Sequence, residues 1–145
     1  MFNPSPADVR RFFCASYAKA QAGQAMDAIE IIASQWMNEH PEYAADFADV
    51  DTALIAIGKP EPTARENPFL HLSMHLSITE QCSIDQPRGI RQAVELLTHR
   101  RNSLHQAHHE VMESLGRMLQ ESHTTKTPPD GGAYVADIQR RATTD

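Results

Sequence analysis

Two histidine pairs stand at helical spacing in this chain, His71/His75 and His105/His109, and Glu113 follows the second pair one turn later. Imidazoles four residues apart share one helix face, so each pair can offer two neutral nitrogen donors to one divalent ion without backbone strain. A facing pair completes four ligands, and Glu113 adds a fifth ligand or a carboxylate that orients the imidazoles. The chemistry these residue types suit is a buried, His-rich transition-metal site for zinc, iron or nickel. With only three protein ligands, an open position would permit hydrolysis through a metal-bound water, with Glu113 as the base. The sequence names no reaction and no substrate.

The elements that carry these residues follow from local signals. Asn67-Pro68 supplies a cap and a first-turn proline for a helix through the first His pair. Leu72, Met74, Leu76 and Ile78 alternate with polar residues, which is also a strand period, but Leu and Met are not β-branched and no partner strand is evident. At about 100° per residue, His75, Ile78 and Cys82 fall within about 40° of His71, whereas Ser73, Ser77 and Glu80 lie opposite. The first pair therefore points inward. On the second helix, Leu104, Val111, Met112, Leu115, Met118 and Leu119 form the apolar arc, with His105, His109 and Glu113 along its edge and His108 inside it as a competing inward residue. Glu66, just before the first His helix, is a candidate extra ligand that could fold back over its end.

Further helices are read from similar signals. Ser5-Pro6-Ala7-Asp8 starts a helix that runs to about Gly23, with Val9, Phe12, Phe13, Ser16, Tyr17 and Ala20 as its inner stripe. Asp27 to Glu30 is a capping-box start for a helix ending at Pro41, and His40, pushed out of the α region by that proline, is expected at a bend on the surface. Glu42 to Ile57 suggests one or two short helices, and Gly58 to Pro62 a loop. After a turn at Ser83–Pro87, Ile90, Val94 and Leu97 mark a helix, Asn102-Ser103 a break and new cap, and Ala133 to Arg141 a last short helix. The expected architecture is all-α: a single-domain bundle of about five to six helices over residues 1–141, with residues 142–145 a frayed tail.

Composition narrows the function classes. At 145 residues the chain can bury a core without staples. A net charge of -6, with no Lys/Arg run longer than two, argues against nucleic acid or an anionic membrane as partner. The 2 cysteines, Cys14 and Cys82, form no C-x-x-C and suit a reducing compartment. The start MFNPSPADVRRFF lacks the features of a signal peptide, and no stretch reaches the roughly 20 apolar residues of a membrane helix, so a cytoplasmic location is expected. There is no Gly-rich phosphate loop, no G-x-S-x-G, and nothing orients Cys82 for attack.

The runs Glu66-Asn-Pro-Phe-Leu-His-Leu-Ser-Met-His-Leu, Ser83-Ile-Asp-Gln-Pro-Arg-Gly-Ile90 and His105-x3-His109-x3-Glu113-Ser-Leu-Gly116, with the start Met1-Phe-Asn-Pro-Ser5, resemble a family of short bacterial proteins known as domain-of-unknown-function family 1841. The resemblance covers nearly the whole chain and implies one all-helical cytosolic domain, with no activity attached. Ser114 stands where the family's pattern leads one to expect Cys. The placing of His pairs on facing helices is also similar, at the level of architecture, to DinB-like and hemerythrin-like bundles, although the bridging carboxylates of a di-iron site are few here. The alternative to a metal protein is a non-catalytic helical adaptor whose apolar faces bind a protein partner or a second copy as a homodimer, with the histidines in the core. Trp36, Phe12, Phe13 and Tyr17 would then be the contact candidates, though their helical spacing equally suits an ordinary core.

Overall fold

The computed structural model describes residues 5–59 and 67–144, and among these it has eight α-helices, one short 3-10 turn and no strand. The all-α expectation holds, while the helix number exceeds the five to six expected. Asp49 recaps the chain after a four-residue helix, and Asn102 in a left-handed conformation (φ 55) cuts one long helical tract into two. Glu66 lies outside the described residues. Backbone packing groups the chain into two compact units, Met1–Leu76 and Ser77–Asp145.

The first unit begins with α1 (Pro6–Ala22) and α2 (Ala28–Asn38). Ser5 Oγ accepts the Asp8 N–H at 3.1 Å while the Asp8 carboxylate accepts the Ser5 N–H at 3.2 Å, a reciprocal cap that satisfies two helix-end donors. Gly23, at φ 67, closes α1 in the left-handed region, where a side chain would be strained. Lys19 on α1 donates to Glu30 on α2 at 2.8 Å, and Glu30 also accepts the Asp27 N–H that starts α2. The chain continues through the 3-10 turn Pro41–Tyr43, α3 (Ala44–Phe47) and α4 (Val50–Ile55), and the unit ends within α5 (Pro68–Ile84).

Helical periodicity becomes packing in the core of this unit. Phe13, Ala33, Trp36, Met37, Tyr43, Phe47, Phe69 and Leu72 are buried, with Val9, Phe12, Tyr17, Ile32 and Leu76 packed against them. The Phe13 ring meets Phe47 and Phe69 at 6.3 Å each, and truncating such a ring to Ala costs about 3–5 kcal/mol. The aromatic residues that an adaptor would have used thus belong to this core. Arg10 is also buried: its guanidinium sits 4.5 Å from the Phe69 ring centre and donates to the Ala53 carbonyl at 3.0 Å, so the charge is both stacked and hydrogen-bonded.

The second unit holds the end of α5, then α6 (Ile90–Arg101), α7 (Leu104–Thr125) and α8 (Gly131–Arg141). Ile78, Ile90, Val94, Leu97, Ala107, Val111, Leu115, Tyr134, Val135 and Ile138 form its buried stripe. The turn before α6 is organised by Asp85, whose carboxylate accepts the Gly89 and Arg91 N–H groups, while Arg91 donates to the Cys82 and Ser83 carbonyls that end α5. Ser103 caps α7 through the Gln106 N–H, and Asp130 caps α8 through the Ala133 N–H, two residues earlier than the start expected at Ala133. Leu104 and Leu119, expected in the apolar arc of α7, are about half exposed. Arg101 pairs with Glu110 and donates to the Arg141 and Thr144 carbonyls, tying the turn after α8 back to α6. No helix among the described residues is long and apolar enough to cross a membrane.

Candidate metal centre

Asn67 Oδ1 accepts the Phe69 N–H at 3.0 Å and the Asn67 carbonyl accepts the His71 N–H at 3.0 Å, so α5 starts where its cap and proline direct. With the helix phase set, His71 and His75 fall on the inner face as expected, and Ser77 and Glu80 are exposed on the other. His75 is 0% exposed and lies flat against Trp36, with ring centres 4.0 Å apart and planes 14° from parallel.

His40 is the residue that spacing did not reveal. It is buried rather than at the surface, and its Nε2 lies 3.1 Å from His75 Nε2 and 3.2 Å from His71 Nε2. The proline rule correctly takes His40 out of the α region (φ -129, ψ 62) and ends α2, but the bend that follows turns the side chain inward. Two features hold that bend: the His40 N–H donates to Met37 O at 3.1 Å, and the Tyr43 N–H donates to His40 O at 3.0 Å. Tyr43 then stacks on the imidazole, with ring centres 5.0 Å apart and planes 11° from parallel. The only signal in the sequence was His-Pro at a helix end, and that signal does not say which way the turn folds.

The electrostatics of this triad are specific. His40 Nδ1 is 2.8 Å from the exposed Glu42 carboxylate. An ionised carboxylate only accepts, so Nδ1 carries the proton and the neutral ring has its lone pair on Nε2. His71 and His75 both approach that one lone pair. One N–H donor would satisfy it, and a second imidazole at the same distance must share it. The two spacings from His40 Nε2, 3.1 and 3.2 Å, also fall in the range of the edges of a coordination polyhedron. With metal–nitrogen bonds of about 2.0–2.1 Å, ligand nitrogens stand about 3.4 Å apart at tetrahedral angles and about 2.9 Å apart at right angles.

On α7, His105 and His109 form the expected i, i+4 pair, with ring centres 4.4 Å apart; His105 is half-buried and His109 exposed. His108 is buried as the competing reading of the arc allowed, and burial, with the neighbouring His105 and His109 adding to it, pushes its pKa down to about 3. Glu113 is engaged elsewhere: its carboxylate, 67% exposed, accepts from Arg141 at 2.7 Å. Glu42, in contrast, meets an imidazole of the triad directly. Cys82 lines a cavity of about 360 Å³ with His99 and His108, and burial, more than the nearby Glu95 charge, pushes its thiol up to about 11. That thiol is protonated at neutral pH and is no nucleophile.

Ser114 is buried and donates to Asp137, whose carboxylate also accepts from Arg140 and Arg141. The position at which a Cys was expected is thus part of an α7–α8 hydrogen-bond network.

The model of one family, described as a domain of unknown function (DUF1841), matches residues 5–140. The chain belongs to the DUF1841 family. The match takes in His40, Glu42, His71, His75, His105 and His109 alike, so every imidazole named above lies inside the DUF1841 region. No curated protein and no solved structure matches the chain.

Proposed function

We propose that this DUF1841 protein binds a divalent transition metal through imidazole nitrogens, with His40, His71 and His75 as the ligands. The observation that carries the reading is the approach of His71 Nε2 and His75 Nε2 to the single His40 Nε2 at 3.2 and 3.1 Å inside buried surroundings. Hydrogen bonding satisfies only one of those approaches in full, whereas a cation uses all three lone pairs once His71 and His75 take the tautomer that frees their Nε2. An all-imidazole set suits zinc, iron or nickel, and it disfavours magnesium and calcium, which take oxygen ligands. Glu113 is outside this ligand set because Arg141 holds it.

Elemental analysis of tag-free protein by inductively coupled plasma mass spectrometry tests this. The expected result is near-stoichiometric metal in the wild type, lost in a folded His71→Ala/His75→Ala variant. Metal-free protein from metal-replete growth that also takes up no added zinc, iron or nickel would overturn the reading and leave the three imidazoles as a hydrogen-bonded core cluster.

A further inference from the structure

We infer that Glu42 is a positioning residue for the metal: its carboxylate holds the proton of His40 on Nδ1 and so keeps the Nε2 lone pair facing His71 and His75. The inference rests on the metal reading above and adds the group that makes His40 competent as a ligand. The two side chains share one turn but sit in different media. The His40 imidazole is 4% exposed and the Glu42 carboxylate 59%, with 2.8 Å between Nδ1 and Oε2. Pro41 lies between them as the first residue of the 3-10 turn, so the backbone that turns His40 inward leaves Glu42 on the solvent side of the same ring.

Chemistry makes this placement matter. A neutral imidazole has one N–H and one lone pair, and which nitrogen carries which is set by the hydrogen bond the other makes. If the proton moved to Nε2, the atom that both neighbouring rings approach would become an N–H, which cannot ligate. Three neutral imidazoles also bring no negative charge to a divalent ion. A carboxylate hydrogen-bonded to the far nitrogen of one ligand raises the basicity of that ligand and fixes its ring, an arrangement whose loss lowers metal affinity by about 10–100-fold. The stack of Tyr43 on the His40 ring holds the plane of the imidazole. Glu42 determines the tautomer within that plane.

Ring-nitrogen NMR of metal-stripped, full-length protein, combined with zinc titration calorimetry, tests this in the wild type, Glu42→Gln and Glu42→Ala, with His40→Phe assigning the His40 signals. Because Glu42 is exposed, both substitutions keep the fold, which circular dichroism verifies. The expected result is His40 with its proton on Nδ1 in the wild type, displacement of that proton toward Nε2 in Glu42→Ala, and zinc affinity lower by about 10-fold or more in Glu42→Ala. Glu42→Gln, which still accepts through its amide oxygen but has no charge, should retain the tautomer and fall between the two in affinity. If the wild type binds zinc and Glu42→Ala binds it within twofold with an unchanged tautomer, the role of Glu42 is overturned and the metal site stands. If the wild type binds no zinc, both fall together, whichever tautomer the spectra report.

Discussion

Replacing His40 by Phe removes the one nitrogen on which the site converges while keeping an aromatic ring to stack on Tyr43. The variant should fold, with a metal-free stability loss of about 1–3 kcal/mol from fitting a larger ring into a filled space. The informative quantity is the zinc-dependent shift in melting temperature, because each protein serves as its own reference. Zinc at 100 times its dissociation constant stabilises the wild type by about 2.7 kcal/mol, or about 5–10 °C at about 2–4 °C per kcal/mol. Losing a mere orienting partner already costs about 10–100-fold in metal affinity, so losing a ligand should cost at least about 100-fold. The same zinc concentration then only equals the dissociation constant of the variant, leaving about 0.4 kcal/mol and about 1 °C. Thermal melts followed by far-ultraviolet circular dichroism at fixed zinc read the difference directly. Equal shifts in wild type and variant would refute the argument that the short Nε2 contacts of His40 mark a coordination sphere.

Three further outcomes are expected. Trp36 is the single tryptophan and stacks on His75 at 4.0 Å, so titration with cobalt(II) should quench its fluorescence strongly, and unchanged emission at saturating cobalt would place the ion away from His75. Asp137 is held from its ordinary 3.8 down to about 2, first by the Ser114 hydroxyl and then by Arg140 and Arg141, against the opposing effect of burial. A depressed carboxylate stabilises the fold above its unfolded pKa and loses that contribution as pH falls toward its folded one, here about 2 kcal/mol between about pH 5 and pH 2. Urea unfolding should therefore find Asp137→Asn less stable than wild type by about that amount at pH 6, with the gap closing by pH 2, and a gap independent of pH would refute the assignment. Finally, a thiol pKa near 11 for Cys82, against an ordinary 9.0, lowers its thiolate fraction about 100-fold at neutral pH. Native protein at pH 7.5 should resist iodoacetamide while urea-unfolded protein reacts, and rapid native alkylation at Cys82 would show that burial does not hold the thiol.

Much of this molecule is determined within short stretches of its sequence. Ser5 and Asp8, Asp27 and Glu30, Asn67 and Pro68, and Asn102 and Ser103 start and stop helices through bonds spanning three or four residues, and such bonds form wherever the stretch is helical. The inward direction of His71 and His75 follows for the same reason: once α5 exists, a rotation of about 100° per residue puts them opposite Ser77 and Glu80. His40 differs because its role depends on partners 31 and 35 residues away. Proline chemistry forbids His40 an α conformation, but whether the resulting bend faces solvent or core depends on Tyr43, Trp36 and the packing of α1, α2 and α5 around them. Glu113 illustrates the converse. Its i+4 spacing from His109 put it on the histidine stripe, but an edge position on an amphipathic helix can face either side, and Arg141 from α8 draws it outward. Local sequence thus determines helix phase and caps, which depend on neighbours along the chain. Which imidazoles converge, and which carboxylate stands behind them, is decided only by tertiary packing, because those contacts join residues that no periodicity relates.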